Sequence, residues 1–260
     1  MLSTFTSYRM ISGSLTQSLE RTSQQPVVAR ESAYYLENIV KVKSIDDFME
    51  NDRLFSYAMK AYGLGDMTYA KAFMGKVLEG GIDDSDSFAN QLTDKRYQDF
   101  AQAFNFVRYG ETATVFTRAQ QGTVDKYVRQ TLEEDAGSSN DGVRLALYFQ
   151  RKASSVTSAY GILADTALIQ VVQTAFGISS LTSMSDIDRQ ADFITSKLDI
   201  SDLQDPEKVD RLLQRFTAMW DAENGTTQSV SPAILISQPV AAGIGTDLLM
   251  SLQGLKLGGN

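Results

Sequence analysis

Among its 260 residues the chain has no cysteine, no histidine, four prolines and a single tryptophan. Without cysteine there is no disulfide, no thiol nucleophile and no thiolate metal site. Without histidine neither a Ser-His-Asp nor a Cys-His arrangement can be built, and no histidine-ligated metal can be held. General acid–base chemistry would fall to Asp, Glu, Lys or Tyr, without the side chain most often used for it. No apolar run reaches the ~18 residues that cross a bilayer. The opening MLSTFTSYRMISGSLTQ has no basic leader followed by an apolar block, so no Sec-type signal peptide is expected. The scarcity of proline removes the commonest interruption of a helix.

What remains is ordinary for a globular protein with a real core: 43% hydrophobic and 22% charged residues. A net charge of -8 repels phosphate backbones, and nucleic acid is not expected as a partner. The apolar residues recur with helical spacing almost throughout. Val28, Tyr35, Ile39 and Val42 form one stripe behind Pro26, which suits a first helical turn. Ser44 with Asp47 reads as a variant capping box, and Asn51 as an N-cap of a helix that stops at Gly63. Further helices are expected to open at Asp66, at Thr93 and at Thr123, the last ending in the turn DAGSSNDG.

Two stretches resemble each other without a gap. With Asn51 set against Asp165, Leu54 meets Leu168, Phe55 meets Ile169, Ala61 meets Ala175, Tyr62 meets Phe176, Gly63 meets Gly177 and Leu64 meets Ile178. The next helix pairs Phe73, Lys76 and Val77 with Ile194, Lys197 and Leu198. A third pairs the caps Thr93 and Asp205, then Tyr97, Phe100 and Phe104 with Val209, Leu212 and Phe216. The spacing therefore predicts an all-α fold of two related helical units, 44–106 and 155–222, around a continuous core. A helical connector, 107–154, joins them. An N-terminal helical flank, 1–43, precedes them, and a polar linker with a short apolar helix, 223–260, follows. The flanks carry narrow stripes, Leu2, Phe5, Tyr8, Ile11, Leu15 and Leu19 at one end and Leu248, Leu249, Leu252 and Leu255 at the other. Such seams suit association with another protein surface or a second copy of the chain.

Motifs that carry chemistry fail on inspection. Counted from Asp84, an EF-hand loop would place Phe88 and Ala89 where a ligand and glycine are required, and from Asp135 it would place Asn140 at the glycine. GLGDM and GIGTDLL lack a third glycine and a preceding strand. Paired acids such as EEDAG are common on solvated helix faces, and Trp220, one turn after Phe216, reads as core. No catalytic, cofactor-binding or metal-ligating residue is assigned, no cofactor is expected, and the chain reads as non-enzymatic.

The stretches VKSIDDFMENDRLFSYAMKAYGLGDMTYAKAF and QGTVDKYVRQTLEEDAGSSNDGVRLALYFQRKA resemble an alphaproteobacterial domain family of unknown function, often encoded beside flagellar genes. The resemblance implies a setting rather than a reaction: a structural or interaction protein of flagellar assembly, in the flagellum or the cytoplasm. A cytoplasmic helical adaptor or export chaperone binding partner helices is the alternative. A hydrolase using carboxylate, Lys or Tyr groups is the remaining one.

Overall fold

A computed structural model describes residues 2–179 and 186–224. These residues are helical and contain no strand. The helices run α1 (Thr4–Gly13), α2 (Leu15–Ser23), α3 (Pro26–Ile39), α4 (Ile45–Glu50), α5 (Asp52–Ala61), α6 (Lys71–Glu79), α7 (Phe88–Gln91) and α8 (Lys95–Ala103). They continue with α9 (Phe106–Tyr109), α10 (Gln121–Ser139), α11 (Asp141–Lys152), α12 (Ala159–Leu163), α13 (Thr166–Phe176), α14 (Ile187–Lys197) and α15 (Pro206–Asn224).

Several helix starts follow the sequence signals. The capping box forms reciprocally: Asp47 N donates to Ser44 Oγ at 3.0 Å, and Ser44 N to Asp47 Oδ2 at 3.1 Å. Asn51 accepts from Leu54 N, and Asp165 accepts from Ala167 N and Leu168 N. Pro26 and Pro206 each take the first helical position. The helices α5 and α13 also end alike. Gly63 and Gly177 adopt φ of 70° and 64°, and Leu64 N and Ile178 N each close a 2.8 Å bond, to Met59 O and Gln173 O. This is the glycine-terminated ending that satisfies orphan carbonyls, and only glycine enters the left-handed region without a steric cost.

Other starts differ from the expectation. Asp66 does not open a helix; it lies in a 3-10 turn, Gly65–Met67, and α6 begins at Lys71. The later start agrees with the anchoring of Lys71, whose Nζ donates to Met49 O and to Asp52. The cap of α8 is Asp94 rather than Thr93, because the Asp94 carboxylate reaches Arg96 N. The turn expected at DAGSSNDG is mostly helix: α10 continues to Ser139 and the chain breaks only at Asn140, which caps α11. There the half-buried Ala136 packs against the second cluster, while Ser138 and Ser139 are exposed.

The buried side chains form two clusters, not the one continuous core expected. The first gathers α3 to α10 around an aromatic nucleus. Phe48 lies 4.7 Å from Phe104, 5.8 Å from Phe55 and 6.2 Å from Phe100, ring centre to ring centre. The second gathers α11 to α15 with Tyr8 of α1, around Leu147, Phe149, Val172, Leu213 and Phe216. The segment 107–154 thus does more than connect: α10 packs on α5 and α3 of the first cluster, and α11 on α13 and α1 of the second.

Trp220 lies at the edge of the second cluster, over the start of α11. A Cβ on Gly142 would stand 2.5 Å from Trp220 Cδ1 and 2.6 Å from its Nε1, so only glycine allows this approach. Gly142→Ala should destabilise the protein by about 1–3 kcal/mol, the usual cost of overpacking. Because Trp220 is the only tryptophan, its emission maximum should shift in the same variant; an unshifted spectrum and unchanged melting would refute this packing.

Candidate functional site: a charged seam and an apolar depression

The helices α10 and α11 fold back on each other, and an ionic network lies between them. Glu133 is 1% exposed. Its carboxylate accepts from Arg129 Nε at 2.8 Å, from Arg151 Nε at 2.9 Å and from Arg151 Nη2 at 2.8 Å. Arg129 Nη2 also donates to Leu147 O, tying one helix to the backbone of the next. Nearby, Arg96 of α8 donates to both oxygens of Asp94 and to Gly63 O. Burial would raise the Asp94 pKa, but the hydrogen bonds and charge of Arg96 outweigh it and hold the carboxyl below its ordinary value. Tyr148 donates to Asp165 Oδ2 at 2.5 Å, and burial first, then the Asp165 charge, pushes the phenol well above its ordinary pKa.

Two grooves of about 340 and 370 Å³ open on this seam, and Asp94, Arg96, Ala164 and Asp165 line both. Their chemistry is that of a fastening. The carboxylates of Asp94, Glu133 and Asp165 are each engaged by a guanidinium, a phenol or helix-start amides, and Tyr148 keeps its proton. Among the described residues no group of three or more acidic side chains is placed to hold a metal.

The N-terminal stripe does not form one seam. The helix is interrupted at Ser14, where φ and ψ are -131° and 44°. Tyr8 is fully buried in the second cluster and Ile11 packs against it, whereas Leu19 packs against the first and Leu15 is half-buried. Leu2 and Phe5 are exposed. Polar contacts hold α1 in place: Thr4 N donates to Asp221 Oδ2 at 3.0 Å, Asn140 Nδ2 to Thr4 Oγ1 at 2.7 Å, and Arg9 pairs with Asp210 at 2.7 Å. Leu248, Leu249, Leu252 and Leu255 lie outside the described residues.

Sequence reasoning missed an apolar depression of about 220 Å³ between α12, α13 and α14. It is lined chiefly by Leu163, Ile169, Ile178, Phe193 and Ile194. Phe193, in this lining, is 40% exposed, whereas the 50% exposed Tyr160 lines the polar groove of about 370 Å³. The available signal was Phe193 itself. The buried stripe of α14 runs through Ala191 and Ile194, and Phe193 stands off that stripe, where a solvated face would carry a polar residue.

Residues 61–209 match a family described as a protein of unknown function, DUF1217. The chain belongs to this family. The DUF1217 match runs from the last residue of α5 into the first turn of α15, so it spans the seam and the depression. The fold is similar to the crystal structure of protein AGR_C_984 from Agrobacterium tumefaciens, an alphaproteobacterium. That structure is 51% identical and covers 86% of this chain and 97% of its own, with a TM-score of 0.79. No curated protein matches the chain. Among the described residues no helix is long and apolar enough to cross a membrane.

Proposed function

We propose that this DUF1217 protein is a non-enzymatic structural or interaction protein that works with components of the bacterial flagellum. The observation that carries the interaction reading is the contrast between its surfaces. The carboxylates of the seam are engaged by internal partners, while Phe193 leaves apolar area facing solvent in the lining of an apolar depression. The flagellar setting rests on the sequence resemblance alone. The depression also favours the adaptor reading, since it is smaller than the ~300–1,000 Å³ of small-molecule pockets and suits a side chain presented by another protein. The identical endings of α5 and α13 further support a shared origin for the two helical units.

A tagged copy expressed in motile cells of its own host, crosslinked and recovered, should bring flagellar components with it. Blotting the secreted fraction separates the two versions: a structural component leaves the cell, an adaptor stays inside. Recovery of no flagellar protein, together with unchanged swimming of a deletion strain, would overturn the flagellar reading.

A further inference from the structure

A groove of about 280 Å³ opens where the ends of α13 and α14 meet the start of α15. Four cations line it, Lys197, Lys208, Arg211 and Arg215, against one carboxylate, that of Asp202. In a chain of net charge -8 this is a local reversal of sign. Lys208 pairs with Asp202, whereas Lys197, Arg211 and Arg215 are exposed and pair with no carboxylate among the described residues. The acids nearest to them in the chain are engaged elsewhere. Asp199 accepts from Ser201 N at 2.9 Å, Asp205 from Glu207 N at 2.9 Å, and Asp210 pairs with Arg9 of α1 at 2.7 Å. Lys208, Arg211 and Arg215 follow one another at intervals of three and four, so they share one face of α15. The floor between them and Lys197 is apolar: Leu198 and Leu212 are buried, and the Arg215 guanidinium lies 4.9 Å from the ring centre of the half-buried Phe176.

We infer that this basic groove receives an acidic helix of another protein, with carboxylates on successive turns against Lys208, Arg211 and Arg215 and an apolar side chain toward Phe176. The lining itself supplies the charge complementarity. The spacing selects a helix over a small anion. From Lys208 to Arg215 the cations extend over about 10 Å of α15, at ~1.5 Å per residue. A small anion meets one or two of them, whereas acids three and four residues apart on a helix recur at the same interval. One exposed ion pair contributes little, so recognition lies in several carboxylates arriving together, each able to take two donors of a guanidinium. The inference rests on the reading that the protein works by binding other proteins; it adds the place and the chemistry of the partner.

The test uses the full chain and two labelled helical peptides of Ala and Leu, one with Glu and one with Gln at every third and fourth position, followed by fluorescence anisotropy. The Glu peptide should bind at least about tenfold tighter than the Gln peptide, and added salt should weaken it. Arg211→Gln with Arg215→Gln should remove about tenfold of that affinity and leave circular dichroism and melting unchanged, since both side chains are exposed. Arg21→Gln with Lys95→Gln removes the same charge from two other exposed positions and should leave binding as it was. Equal binding of the two peptides, or equal loss in both double variants, would overturn the proposal, because only net charge would then be at work. So would a concentration-dependent dimer that Arg211→Gln/Arg215→Gln abolishes, because a second copy would fill the groove. Sedimentation with phosphatidylglycerol vesicles through the same two arginines, with no binding of the Glu peptide, would overturn it in favour of an anionic lipid surface. If cellular crosslinking recovers the same partners with the parent and with Arg211→Gln/Arg215→Gln, the interaction reading stands and this location falls. If the parent recovers none, the interaction reading falls and this site with it.

Discussion

Glu133→Ala should lower the stability of the fold by about 3–5 kcal/mol, because it leaves the guanidinium groups of Arg129 and Arg151 without their common carboxylate in a buried place. For a chain of this size that corresponds to a melting temperature lower by roughly 6–20 °C. Chemical denaturation followed by far-ultraviolet circular dichroism measures it directly. The loss comes from uncompensated charge, not from the absence of a stabilising pair. Arg129→Met, Glu133→Leu and Arg151→Met together should therefore recover most of the stability, since apolar replacement of a buried ionic triad is often neutral or better. A Glu133→Ala variant within about 1 kcal/mol of the parent would mean that water reaches the seam and relieves both arginines.

Phe48→Ala should cost a similar amount, about 3–5 kcal/mol, the range for emptying a well-packed phenylalanine site. Phe48 is fully buried, and its ring contacts those of Phe55, Phe100, Phe104 and Phe106. The variant also asks whether the two clusters unfold together. Phe48 lies in the first, whereas Trp220 packs against the second. Because α10 and α11 are fastened through Glu133, the loss of Trp220 emission and the loss of helicity should coincide, as in a single cooperative transition. In Phe48→Ala combined with Glu133→Ala the helical signal should begin to fall before Trp220 responds. Separate transitions in Phe48→Ala alone would show that the seam does not couple the clusters.

The secondary structure and much of its punctuation were legible in the sequence. Ser44 with Asp47, Asn51 and Asp165 act on amides within about one helical turn, and Pro26 fixes its own φ at a first turn, so their neighbours in the chain suffice to interpret them. The endings at Gly63 and Gly177 were legible for the same reason. Their φ values demand glycine, and the hydrogen bonds they close span only a few residues. The excluded chemistries were equally plain, because no tertiary arrangement supplies a histidine or cysteine that the chain lacks.

Which side chains are buried together depended on which helices meet, and helical periodicity does not specify the neighbour. Tyr8 belongs to the same stripe as Leu2 and Phe5, yet it is buried while they are exposed, because α11 and α15 flank only part of α1. Glu133 looked like one more acid on a solvated helix until two arginines, one of them eighteen residues away, converged on it. The helix α10 runs on through residues that favour a turn, with Ala136 packed against the second cluster. Two buried clusters appear instead of one for the same reason. The fold places Glu133 with Arg129 and Arg151 between α10 and α11, and it gathers into two clusters apolar side chains that a one-dimensional pattern can only add to a single list.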